Sequence, residues 1–145
     1  MDNRVEFLEY LYQICEMGVT STTSLLKKVE SKENKITTLL EDELNEYKKL
    51  YKEVSDIFKS RGIKEPKAGV LTNIGVEMSM NMEIMKDNSD TKLAEMLIQG
   101  YTMGNLELKK KYNKYKTIMT KEEKDIADRI KMIQDKNIKK LKKYL

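Results

Sequence analysis

The sequence predicts an all-α fold, a four-helix bundle of two antiparallel hairpins joined by a helical crossover segment. Three observations predict it. Apolar residues recur at spacings of three and four over four stretches of about 25 residues, each about 37 Å long as a helix. Helix formers dominate, with 6 Gly and 1 Pro in 145 residues, too little turn punctuation for an all-β chain. The charged fraction of 36% beside 39% hydrophobic suits narrow helices with wet outer faces. At this length the chain reads as one domain, residues 1–145.

The first helix is expected over about 5–29, on the stripe Leu8, Tyr12, Cys15, Val19, Thr22, Leu26 and Val29. Asn3 with Glu6 three residues on reads as its capping box. The second, about 33–61, carries Ile36, Leu40, Glu43, Tyr47, Leu50, Val54 and Ile57 or Phe58. Gly62 then caps it and Pro66 stops it. A shorter, methionine-rich segment at 69–85 follows. A long helix over about 91–116 carries Leu93, Leu97, Tyr101, Gly104, Leu108, Tyr112 and Tyr115. Thr120 with Glu123 is a second capping box, opening a last helix over 121–144 through Ile126, Ile130, Ile133, Asn137, Leu141 and Tyr144.

Short loops make hairpins of the first two helices and of the last two. The intervening segment is long enough to travel most of the bundle's length. A weak internal repeat agrees with two related hairpins: Gln13-Ile14-Cys15-Glu16-Met17-Gly18 recurs as Gln99-Gly100-Tyr101-Thr102-Met103-Gly104. The same shift, 86 positions, maps Leu40 onto Ile126 and Tyr47 onto Ile133.

Several function classes are disfavoured. The chain has no histidine, which removes imidazole zinc sites, Ser-His-Asp triads and Cys-His pairs. The single cysteine, Cys15, sits on an apolar stripe and reads as inert packing. No stretch approaches the ~20 apolar residues of a membrane span. The charged opening Met1-Asp2-Asn3-Arg4-Val5-Glu6 is unlike a signal peptide, so a cytoplasmic protein is expected. Residues 109–145 hold 14 Lys/Arg against 5 Asp/Glu, and the first 108 hold 14 against 19. That basic end could meet nucleic acid or anionic lipid. However, Lys139, Lys140, Lys142 and Lys143 fit a solvated helix face, and no aromatic-and-Arg pattern interleaves for base stacking. Ten methionines invite a copper reading, but neither Cys nor His accompanies Met78, Met80, Met82 and Met85.

Two chemistries stay open. Carboxylate-only binding of iron or manganese could use Glu16, Glu43, Glu46 and Glu107, with Asp125 nearby on the last helix. Glu43 stands out because it interrupts an apolar stripe; an inward carboxylate must find a partner, a cation or a proton. Gly18, Gly75, Gly100 and Gly104 each cost about 1 kcal/mol inside a helix. They read as close helix approach, or as room for a ligand beside Gln13, Met17, Gln99 and Met103. In 70–85, Val70, Ile74, Met78, Met82 and Met85 form one stripe, while Val76, Met80 and Ile84 lie on a largely opposite side. The second set is the expected partner-binding surface, for a homodimer or another protein.

Three stretches carry a resemblance: Tyr12-Gln13 through Glu16-Met17-Gly18, the run Ile74–Met85, and Ala94-Glu95-Met96-Leu97-Ile98-Gln99-Gly100 through Thr102-Met103-Gly104. Across nearly its whole length the chain resembles a group of small, uncharacterised ferritin-like four-helix-bundle proteins of bacteria. The resemblance implies a ferritin-like bundle and no known reaction. Ferritin-like oxidases hold iron through Glu and Glu-x-x-His ligands, a set this chain cannot supply. The leading expectation is a non-catalytic scaffold or partner-binding protein. The runner-up is a carboxylate-ligated metal protein or degenerate oxidoreductase, and a third class is an immunity-like or regulatory bundle with one protein partner.

Overall fold

A computed structural model describes residues 3–29, 35–67 and 89–145, with side chains in the first stretch from residue 5. These residues form four α-helices: α1 Asn3–Val29, α2 Thr37–Arg61, α3 Asp90–Tyr115 and α4 Lys121–Leu141, followed by a 3-10 turn at Lys142–Tyr144. Among the described residues there is no strand, and no helix is long and apolar enough to cross a membrane. The helix expected at 69–85 lies outside the described residues.

The predicted stripes are the buried faces. All of Ile36, Leu40, Glu43, Tyr47, Leu50, Val54, Ile57 and Phe58 are buried, as are Leu93, Leu97, Tyr101, Leu108 and Tyr115 of α3 and Ile126, Ile130, Ile133, Asn137 and Leu141 of α4. On α1 the buried face differs from its stripe: Val19 and Leu26 are only partly buried, while Phe7, Leu11 and Leu25 join it. That helix packs not only on α2 but also on α3 and α4, so more of its circumference leaves water.

The ends differ in detail from the expectations. Asn3 is the first residue of α1, and the Glu6 carboxylate accepts from the Tyr115 hydroxyl. The helix expected from 33 opens at Thr37 without a side-chain cap. Lys35 N–H, two residues before it, donates to the Asp90 carboxylate at 2.9 Å. At the other end Gly62 adopts φ 66°, its N–H bonding Lys59 O while Ile63 N–H bonds Phe58 O, the double closure of a left-handed cap. Glu65 then folds back to accept from Tyr12 Oη at 3.2 Å and from Ser55 Oγ. The Thr120–Glu123 capping box forms as expected. The last α-helix stops at Leu141, and its final turn tightens to 3-10 geometry.

Cross-helix contacts set the arrangement. Between α1 and α2, Tyr12 meets Tyr51 and Gly18 meets Tyr47. Between α3 and α4, Thr91 bonds Tyr144, Gly104 meets Gln134 and Asn105 bonds Asp135. Between α2 and α4, Glu46 pairs with Lys136, Glu53 with Arg129 and Arg61 with Glu123. Between α1 and α3, Glu6 bonds Tyr115 and Tyr10 lies under Lys111. The chain leaves α2 at Arg61, beside the start of α4, and enters α3 at Asp90, beside Lys35 at the start of α2.

Phe58, fully buried with Tyr12 edge-on at 5.5 Å, anchors this packing. Phe58→Ala is expected to lower unfolding free energy by about 3–5 kcal/mol, measurable by urea denaturation. A loss within experimental error would mean that the α1/α2 contact is not a core contact.

Candidate functional site

Apart from Glu123 at the start of α4, the buried polar side chains gather toward mid-length. Thr22 of α1 and Glu43 of α2 are each 2% exposed, and Asn137 and Gln134 of α4 are 2% and 5% exposed. Tyr47 and Tyr101 are buried beside them in sequence register. The cross-helix pairs place these residues on two successive levels. Thr22, Glu43, Tyr101 and Asn137 form one; Gly18, Tyr47, Gly104, Asn105 and Gln134 form the next. Every helix contributes to both.

On the first level the Thr22 hydroxyl hydrogen-bonds the Glu43 carboxyl. Burial, with the neighbouring Glu46 charge, pushes that carboxyl from 4.5 up to about 8. Glu43 is therefore neutral at pH 7, a hydrogen-bonding acid rather than an anion. Glu43 Oε2, Tyr101 Oη and Asn137 Nδ2 have no hydrogen-bond partner among the described residues.

On the second level Tyr47 crosses the bundle. Its ring lies against Gly18 so closely that a β-carbon there would stand 2.6 Å from Cδ1, nearer than real β-carbons come. Its hydroxyl accepts from the Gln134 side-chain amide, which lies 3.4 Å from where a Gly104 β-carbon would be. Burial, followed by the nearby Glu43, drives the Tyr47 phenol far above its ordinary range. The glycines thus make room for side chains of facing helices. Met103 and Gln99, expected beside a mid-bundle ligand space, instead point outward, Met103 being 70% exposed.

The four candidate metal ligands do not converge. Glu43 is buried; Glu46 is half-buried and bonded by Lys136 Nζ at 2.7 Å. Glu107 is exposed on α3, close enough to Tyr10 of α1 to raise its phenol. Glu16 is half-buried on α1. Asp125 is exposed and salt-bridged to Arg129 at 3.3 Å. Among the described residues, no group of three Asp, Glu, Cys or His side chains could hold a metal ion. Cys15 is sealed in the core, its thiol pushed by burial up to about 12, as befits inert packing.

Val76, Met80 and Ile84 lie outside the described residues. Two surface features escaped the sequence reading. Met103, Leu106 and Met132 are exposed apolar residues on α3 and α4. A groove of about 370 Å³ runs between α2 and α4, with Ile57 and Ile126 beneath and Glu53, Asp56, Glu122 and Asp125 around it. Within it Arg129 forks onto Glu53 at 3.1 and 2.6 Å, a cross-helix pair that no single-helix spacing rule can find.

Glu43 gives the bundle a pH dependence. Its folded-state value lies above the unfolded one, so its contribution is complete below about pH 4.5 and is lost as pH rises toward about 8. At 1.36 kcal/mol per unit of displacement, the decline amounts to a few kcal/mol. Glu43→Gln is expected to flatten the slope and to stabilise the protein at pH 8, read from urea midpoints at pH 5 and pH 8. An unchanged slope would place the titration elsewhere.

Compared with known proteins, the chain matches no family model, no curated protein and no solved structure.

Proposed function

We propose that this protein is a non-catalytic helical scaffold or partner-binding protein. Its fold, on this reading, is a ferritin-like bundle of two antiparallel hairpins, α1/α2 and α3/α4, joined by a crossover. Two contact patterns support the fold reading. Along each pair of helices the partner's number falls as the residue number rises from end to end, as from Glu46–Lys136 to Glu53–Arg129 to Arg61–Glu123 between α2 and α4 and from Thr91–Tyr144 to Asn105–Asp135 between α3 and α4. The exit from α2 and the entry to α3 also lie beside opposite ends of α2, so residues 62–89 connect the bundle's two ends. Up-down-down-up order with one long connection is the ferritin-like topology.

The observation that carries the non-catalytic reading is the scatter of the carboxylates: among the described residues no three Asp, Glu, Cys or His side chains form a group that could hold a metal ion, and Glu46 and Asp125 are engaged by Lys136 and Arg129. A di-metal oxidase needs anionic ligands converging from several helices. The runner-up, a metal protein with iron or manganese on carboxylates, draws on the unpartnered Glu43 Oε2.

Elemental analysis of protein purified without chelators separates the two readings. We expect no stoichiometric iron or manganese, and no rise in melting temperature on adding Mn(II). Stoichiometric metal that is lost in Glu43→Gln would establish the runner-up. The partner surface is proposed, from sequence pattern, at Val76, Met80 and Ile84. Met80→Lys with Ile84→Lys should convert a sedimenting dimer into a folded monomer; a monomeric wild type would remove the homodimer proposal.

A further inference from the structure

Four lysines of α3 and α4 are neutralised in place: Lys92, Lys124, Lys131 and Lys136 each pair with a carboxylate. Between Glu107 and Glu122, by contrast, stand Lys109, Lys110, Lys111, Lys114, Lys116 and Lys121 and no acidic residue. None of these six forms an ion pair among the described residues, and all but Lys111 are exposed. They line the last two turns of α3 and the turn into α4. Two lie over aromatic rings, Lys111 at 5.7 Å from Tyr10 and Lys114 at 5.2 Å from Tyr115. Such contacts hold an ammonium at the surface without cancelling its charge. Acids near this end of the bundle are themselves engaged. Glu122 and Glu123 reach Arg61, Asp125 reaches Arg129, and Glu6 accepts from the Tyr115 hydroxyl. At the tip, Ile118 N–H and Met119 N–H both donate to Tyr115 O. Met119 packs inward on the core, which leaves Ile118 43% exposed between Lys116 and Lys121. We propose that this hairpin tip docks on the anionic headgroups of a lipid bilayer, holding the protein at the membrane surface.

The side chains at the tip select lipid over nucleic acid. Nucleic acids are gripped by guanidinium forks and by exposed rings that stack on bases. Here Arg61 and Arg129 are committed to carboxylates, Tyr115 is buried and Tyr112 is packed on the core. An exposed aliphatic apex has no counterpart on a phosphate backbone, but it enters the boundary between headgroups and acyl chains. The lysine stems lie along that boundary while their ammonium groups stay among the phosphates. Each lysine near an anionic surface strengthens attachment by about fivefold, so the six supply most of the affinity and one isoleucine adds insertion. No helix among the described residues is long and apolar enough to cross a membrane. Attachment of this kind needs none, and it is reversible.

Co-sedimentation of the full chain with vesicles tests the assignment. Vesicles of phosphatidylcholine with about one-third phosphatidylserine should carry the protein down at about 0.1 M salt, and vesicles of phosphatidylcholine alone should not. Raising the salt to about 0.5 M should release it. Lys116→Glu with Lys121→Glu should lower the partition coefficient at least about tenfold. Ile118→Ser should lower it several-fold without altering the salt dependence. Lys139→Glu with Lys140→Glu makes the same charge change at the bundle's opposite end, where Tyr144 meets Thr91, and should stay within about threefold of wild type. Absence of binding to the phosphatidylserine vesicles overturns the proposal. So does an equal loss in both lysine pairs, which would make net charge rather than the tip responsible. Salt-dependent capture of a DNA duplex without vesicle binding would also overturn it, assigning the lysines to a phosphate backbone. Should the reversed pair lose helix content, Lys116→Gln with Lys121→Gln must still weaken binding; wild-type partitioning there is equally decisive against the tip.

Discussion

A β-carbon at position 18 would stand 2.6 Å from the Tyr47 ring, so α1 and α2 reach their present separation only because Gly18 has no side chain. The rest of the core follows from that approach. It lets a phenol reach across the bundle to Gln134, and it stacks Thr22 over Glu43 one turn further along. A helical glycine costs about 1 kcal/mol relative to alanine. Here the cost is offset by the burial of Tyr47, whose aromatic surface is among the largest contributions a single residue makes to a core.

Outside that polar middle, the seam between α2 and α4 is written in charge. Glu46, Glu53 and Arg61 meet Lys136, Arg129 and Glu123 at steps of six to eight residues. The order of signs is minus, minus, plus on α2, and the complementary order on α4. Partly exposed pairs contribute only about 0.2–1 kcal/mol each. The Arg61 pair is the exception in burial, because Glu123 is 1% exposed. Its carboxylate serves the Thr120 cap and the Arg61 guanidinium together.

Helical periodicity was legible because it is a property of neighbours along the chain: every stripe residue of α2 is buried. The Thr120–Glu123 cap was legible for the same reason. What escaped depends on residues distant in sequence. The Lys35 N–H before α2 is bonded by Asp90, fifty-five positions away. Glu6 is claimed by Tyr115. Gln134 reads as an ordinary polar position until Tyr47 is placed opposite it. At the candidate site, the interest of Glu43 showed in the stripe it interrupts. Its neutrality did not, since that follows from the depth of its burial and from Glu46. The carboxylates proposed to join it are spread over all four helices and form no metal-holding group among the described residues.

A chain without histidine lacks the side chain whose charge ordinarily changes near neutrality. Burial moves Glu43 into that range. Folding at neutral pH is consequently also a proton-uptake reaction, because an acid that is ionised in the open chain closes into the core as a neutral group. The bundle stores that proton between Thr22 and the centre of its four helices. Any event that parts the helices at mid-length, whether heat, a denaturant or a bound partner, returns it to the solvent.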